Sequence, residues 1–262
     1  MLRLFLTVLT CLGLLFPSMA QAYDKIGHRV AAAMAMRLLD DNAKAAIEDI
    51  LGPVTLAELS NYPDEQRSNP DEFWRRTANP WHYVTVPEGQ TYAEAGAPEE
   101  GDAYTALQKY TAVLKDSKAS KEDKYLALAF VVHIIADLHQ PLHVGDGSDR
   151  GGNDIMVTWF GEVTQLHWVW DVELIEYERL SYTEWTDWAF AKLTPQQIEE
   201  WSVTDPLVWI AESNEIRPSV YPEPRDRNLR WDYIYEQRET VHTRLSQAGV
   251  RTAAYLNDVF GD

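Results

Sequence analysis

Cysteine is almost absent from this chain of 262 residues. Its one cysteine is Cys11, so the sequence beyond it offers neither a disulfide nor a thiolate ligand. Basic charge is scarce as well: 23 Lys and Arg stand against 41 Asp and Glu, a formal net charge of −18. With no basic stripe to neutralise a double-helical backbone, stable binding to duplex DNA is not expected. Acidity does not exclude phosphate chemistry, because a bound cation can be the largest local positive charge. Asn-x-Ser/Thr sequons are missing, which argues against glycosylation. Long apolar runs are missing too. The longest, residues 4–16, falls short of the roughly 18 residues that a membrane span needs.

That short run reads instead as the core of a signal peptide. Arg3 supplies the positive charge before it, and Ala20-Gln21-Ala22 the small-x-small cleavage site after it. The expected product begins at Tyr23 and is exported to a bacterial periplasm or the medium, without membrane attachment; an uncleaved N-terminal anchor is the competing reading. Residues 23–262 are enough for one full core, so a single domain is expected, acting as a monomer.

Helical patterning dominates. Ile26, Val30, Ala33 and Met34 give an apolar face to a first helix over residues 26–39. Ser120-Lys121-Glu122-Asp123 opens a second that runs to Leu138 and is apolar nearly all round, which predicts the central, buried helix. Thr194-Pro195 and Asp205-Pro206 are further helix starts, with proline at the first helical position. Residues 228–260 read as one or two amphipathic helices. Residues 89–101, rich in Pro, Gly and Glu, read as a surface loop. Alternation at Ile155, Val157 and Trp159, followed by Gly161-Glu162, predicts a β-hairpin. The fold class is thus mainly α: one globular helical domain with a small hairpin.

Within the central helix two polar residues stand out. His133 and Asp137 lie four apart, one turn along the same face, and the spacing recurs at His167 and Asp171. Unpaired, a charge in an apolar helix is costly, so these groups need a partner or a cation. Pro141 breaks the helix after Asp137 and frees His143 to turn elsewhere. His28 follows Gly27, Asp64 follows Tyr62-Pro63 with Arg67 one turn on, and His82 sits between Trp81 and Tyr83. Each has a bland explanation alone: a core histidine, a turn aspartate, a satisfied polar pair. Together, five histidines and three aspartates in a chain without thiolates point to zinc, which accepts imidazole and carboxylate ligands.

Gly27-His28, Tyr62-Pro63-Asp64, Trp81-His82-Tyr83, the run from His133 through Asp137, His139, Gln140 and Pro141 to His143, Gly151-Gly152-Asn153 and Leu166-His167-Trp168-Val169-Trp170-Asp171 together resemble the S1/P1 nucleases. These are zinc-dependent nucleases and 3′-nucleotidases that prefer single strands. The likeness spans the chain from residue 23 to the last helix, where Ala248-Gly249-Val250-Arg251 and Leu256-Asn257 also match. It implies the phospholipase C/P1 nuclease fold and three Zn²⁺ ions. One ion would be held by Asp64, His82, His133 and Asp137, and a second by His143, His167 and Asp171. The third would take His28, Asp137 as a bridge and the backbone of Tyr23, where the family usually has Trp. Asp64 would orient a water activated by the metals. Arg67 would steady charge on the phosphoryl oxygens, giving 5′-phosphate products from single-stranded DNA or RNA, with 3′-mononucleotides as further substrates. Tyr83 and Asn153 are the substrate-binding candidates.

The chain departs from the family pattern at Thr85, where an aspartate is familiar in fungal members, at Arg150, where a small apolar residue is, and at Gln165, where Asn is frequent. Base preference is therefore open. His139 is not at a ligand position, and His242 reads as a surface residue. Two rivals stand beside the nuclease reading. A phospholipase C shares the three-zinc cluster, but its last pair is typically His-x-x-x-Glu rather than His-x-x-x-Asp. A non-catalytic zinc-binding protein would need no Arg67.

Overall fold

A computed structural model describes residues 25–224 and 226–261. The expected signal peptide and Tyr23 lie outside them. The helix Lys121–Asp137 runs through the middle, and every residue from Ala127 to Asp137 is buried. Ser120 caps it, its hydroxyl accepting from the Asp123 amide at 3.0 Å. On one side it meets the helix Ala103–Lys115, where Phe130 stacks on Tyr110 with ring centroids 4.6 Å apart. On another it meets the first helix, Lys25–Ala35, and the last, Trp231–Phe260.

The tail is one helix of 30 residues rather than two. It lies along the first helix so closely that a Cβ on Gly249 would come within 2.7 Å of Met34 Cβ. Small residues make the approach possible: Ala31, Ala32 and Ala35 of the first helix are all buried along with Met34. The first helix stops about a turn earlier than its apolar pattern suggests, passing into a turn at residues 36–38. Asp40 is the reason: its extended backbone begins a new helix, Asp41–Leu51, with its carboxylate accepting from the Ala43 amide at 2.8 Å.

Proline starts the helices Pro195–Trp201 and Pro206–Val220, capped by Thr194 and Asp205 as expected. The hairpin pairs Met156–Trp159 with Glu162–Gln165 in antiparallel register, Trp159 opposite Glu162. Its two turn residues, Phe160 and Gly161, both have positive φ (51° and 97°), a type I′ turn whose twist suits the strands. Two pairings were not foreseen. Asn228–Leu229 adds a parallel third strand beside Met156–Trp159, and Val84–Thr85 pairs in parallel with Val144–Gly145. The loop at residues 89–101 contains one helical turn, Tyr92–Ala95, and is pinned where Tyr92 donates to Asp102 at 2.6 Å. No helix among the described residues is long and apolar enough to cross a membrane.

A candidate metal centre

Six separate elements aim side chains at one buried point. His28 comes from the first helix, and Asp64 from the helical turn Tyr62–Glu65. His82 ends the 3₁₀ turn Asn79–His82. His133 and Asp137 come from the last turn of the central helix. His143 ends the 3₁₀ turn Pro141–His143, which proline starts once the helix has stopped. His167 and Asp171 come from the continuous helical segment formed by Leu166–Trp168 and the wider π turn Val169–Glu173.

These eight side chains form three groups, each with ligand atoms within 4.8 Å of one another: His28, His133 and Asp137; Asp64, His82 and His133; His143, His167 and Asp171. Both His-x-x-x-Asp pairs close as their spacing requires, His133 Nε2 to Asp137 Oδ2 at 3.2 Å and His167 Nε2 to Asp171 Oδ2 at 3.0 Å. Asp137 is placed between groups. Its Oδ2 faces His133 and His82, the latter at 3.3 Å, while its Oδ1 faces His28 Nε2 at 3.5 Å.

Backbone carbonyls fix the imidazoles. The Nδ1 of His133 lies 2.8 Å from the Ser60 carbonyl, that of His143 2.7 Å from the His82 carbonyl, and that of His167 2.7 Å from the Gly151 carbonyl. In its neutral form each ring can donate an Nδ1 proton outward and leave the Nε2 lone pair inward, the tautomer a metal ligand needs. Gly151 makes its contact possible: its φ is +61°, and a Cβ there would strike the Leu142 carbonyl oxygen at 2.2 Å. Gln140 holds the opposite end. Its Nε2 donates to Asp171 Oδ1 at 2.7 Å, and its Oε1 accepts from the Leu142 amide at 2.6 Å. The sequence showed Gln140 only as part of the family-like run before Pro141, with no role of its own.

Burial and mutual charge set the protonation. Burial holds His28 well below the ordinary imidazole range, helped by His133, and lowers His82 to about 3, helped by Arg67. Burial would lower His143 also, but Asp137 and Asp171 outweigh it and raise the group to about 9. Burial likewise opposes ionisation of Asp171, yet His167 and His143 hold it down at about 2. Asp137 is held well below its usual value against burial by His133 and His143. Burial raises Asp64, with Arg67 opposing. Asp137 Oδ1, His143 Nε2 and Asp171 Oδ2 are buried without a hydrogen bond. Such atoms are costly unless something electropositive sits among them, and the nitrogen and oxygen donors are those zinc accepts.

The centre forms the floor of a cleft of ≈ 630 Å³, the size of a small-ligand site. Arg67, Tyr83, Thr85, Arg150 and Asn153 all line it. The charges on its walls are basic, with no carboxylate among the lining residues of a chain that is acidic overall. Arg67 Nε is 2.9 Å from Asp64 Oδ1, so the guanidinium stands at the rim of the cluster. Tyr83 is 45% exposed and presents its ring to the cleft, whereas Asn153 spends its amide on the Arg150 carbonyl at 2.9 Å. His139 lies outside the cluster, bonded through Nδ1 to the Ile135 carbonyl and through Nε2 to Arg251. His242 is not the surface residue expected: its ring is half-buried against Trp185, with centroids 4.4 Å apart. The broad apolar patterning of the last helix did not show that contact.

A helical single domain with a histidine–aspartate centre under a basic cleft defines a class of phosphodiester hydrolases. The sequence model described as S1/P1 nuclease matches residues 23–261, and the chain belongs to that family, whose members are zinc-dependent nucleases. Among its relatives are Endonuclease 2 of Arabidopsis thaliana, 29% identical over 276 residues that cover 91% of each chain. Endonuclease 4 of the same plant is 30% identical over 282 residues, covering 92% of this chain and 90% of its own. Nuclease S1 of Aspergillus oryzae is 26% identical over 266 residues, covering 90% and 91%. The chain is accordingly an enzyme that hydrolyses nucleic acid.

Proposed function

We propose that this protein is an exported nuclease, cut after Ala22, that uses three zinc ions to hydrolyse single-stranded DNA or RNA, and 3′-mononucleotides, to 5′-phosphate or nucleoside products. The observation that carries the reading is the convergence of eight ligand side chains on the floor of a cleft with only basic charges on its walls. His28 and Asp137 would hold one ion with the backbone of Tyr23, Asp64, His82, His133 and Asp137 a second, and His143, His167 and Asp171 a third. The split orientation of the Asp137 oxygens supports its role as a bridge.

Bound zinc supplies a Lewis acid for the phosphodiester and makes water acidic enough to be a nucleophile near neutral pH. The chain's own groups do the positioning. Asp64, partly exposed and braced by Arg67, offers a carboxylate oxygen to orient the attacking water. Arg67 points a guanidinium into the cleft where charge on the phosphoryl oxygens grows, a stabilisation that needs no reorganisation during reaction. Tyr83 offers a ring face on which an unpaired base can stack, which supports a single-strand preference, since a base inside a duplex is not free to do so. Asn153 would contact substrate from the opposite wall.

The test is hydrolysis by protein beginning at Tyr23. Single-stranded nucleic acid, a duplex of the same sequence and phosphatidylcholine are compared before and after chelation and zinc re-addition. Zinc-restored cleavage of the single strand to 5′-phosphate ends is expected. Hydrolysis of the lipid alone would overturn the reading in favour of a phospholipase.

A further inference from the structure

The cleft contains a third arginine that the reaction at its floor does not use. Arg67 is engaged with Asp64 at 2.9 Å, and Arg150 with Asp154 through contacts of 2.5 to 3.1 Å. Arg75 also lines the cleft, and among the described residues no carboxylate is paired with it. Its neighbour Arg76 points elsewhere and pairs with Glu72 at 3.1 Å. In a chain with 41 acidic residues, an exposed arginine beside a basic cleft and without an acid is a cation kept for another anion.

Local structure explains the aim. Residues Phe73–Thr77 form a π turn, closed by the Ala78 amide donating to the Phe73 carbonyl at 2.8 Å. The extra residue in such a turn re-aims the side chains it carries, and π turns recur at functional sites. Trp74 anchors this one, stacked on Phe130 of the central helix with ring centroids 5.6 Å apart. The backbone that carries Arg75 is therefore fixed to the element that carries His133 and Asp137. Asn79, just beyond the turn, lines the same cleft and offers an amide donor beside it.

We infer that Arg75, with Asn79, is a phosphate subsite for a nucleotide next to the one being cut, so that it acts on strands with more than one phosphate. A guanidinium suits this task because its donors match phosphate oxygens in pairs. The inference rests on the nuclease reading, and its prediction differs from that of Arg67. Arg67 should matter for every substrate, Arg75 only for a substrate long enough to reach it.

The experiment compares zinc-loaded wild type, Arg75→Ala, Arg75→Lys and Arg75→Glu on a dinucleotide with one phosphodiester and on a single-stranded dodecamer. On the dodecamer Arg75→Ala is expected to raise KM about tenfold with kcat kept, the effect of one lost charged contact. Its plot of log(kcat/KM) against log salt becomes shallower by about 0.7, one phosphate contact on a single strand. Arg75→Lys recovers part of the loss, Arg75→Glu deepens it, and the dinucleotide shows a much smaller penalty in all three. An equal loss on both substrates would place Arg75 at the scissile phosphate or in the fold, and no loss on either would leave it a surface charge; each overturns the subsite. Failure of the wild type itself on both strands would instead strike the nuclease reading, and the subsite with it.

Discussion

Gln140 touches no ligand group of the cleft floor except Asp171, yet it joins two parts of the centre across a proline. One amide side chain holds Asp171 with its nitrogen and the turn leading to His143 with its oxygen. Gln140→Leu keeps the volume and removes both bonds, and zinc retention should weaken about 10- to 100-fold, the usual cost of losing such an outer partner. Zinc content after dialysis against graded chelator measures it; unchanged retention would show that Asp171 is placed by His143 and His167 alone. Asp137 allows a sharper count. Because its two oxygens face different histidines, Asp137→Asn should lower the zinc bound per chain by more than His167→Ala does, as read by metal analysis on purified variants. Equal losses would mean that Asp137 serves a single ion.

At the scale of elements, the first and last helices meet closely at Met34 and Gly249. Gly249→Val forces atoms into space that Met34 occupies and should cost about 1–3 kcal/mol in urea unfolding. Adding Met34→Ala should return part of that stability, and a double variant no better than the single would rule out the steric account. Much at this scale was legible in the sequence. Ser120, Thr194 and Asp205 cap helices where side chains of their kind are expected to, and Pro141 ends one, because caps and prolines act within a few residues. The hairpin was legible from its alternation and from Gly161. Strands of two residues such as Asn228–Leu229 have no period to read, and only tertiary contact defines them. The ligand side chains were legible by type and spacing. The carbonyls of Ser60, His82 and Gly151 that orient them were not, since every residue has a carbonyl and only the fold decides which one a histidine meets. The π turn carrying Arg75 was hidden for the same reason, since only the closing Ala78-to-Phe73 bond of the fold distinguishes it.

Across the whole molecule, charge is arranged in two opposite ways. The surface is acidic, while Arg244 and Arg251 of the last helix are buried and meet at Glu212, which accepts from Arg251 at 2.5 and 2.7 Å and from Arg244 at 2.7 Å. Partial burial would raise the Glu212 carboxyl, but the two guanidiniums outweigh it and hold the group below its ordinary value. A carboxyl with a depressed folded pKa adds stability that is complete above its unfolded value, near 4.5, and is lost as pH falls through the lower folded value. Glu212→Gln should therefore destabilise the protein at pH 7, by on the order of 3 kcal/mol because two buried cations lose their anion. The gap to wild type should narrow on acidification below about pH 4.5; a gap that stayed constant in urea titrations down to pH 3 would count against the account. Removing metal should act on the whole fold as well, since burying these ligands without cations is unfavourable. Calorimetry should show a lower Tm after chelation that zinc restores, and an unshifted Tm would mean the centre contributes nothing to stability. The last helix braces the centre from behind, Arg244 donating to the His139 carbonyl at 3.0 Å just past Asp137, and Gly249 seating the helix that carries His28. Residues 231–260 follow His28 by about 200 positions in the chain, so synthesis makes the brace long after the residue it seats. A chain in which His28 has been made but residues 231–260 have not thus lacks the brace behind its own centre.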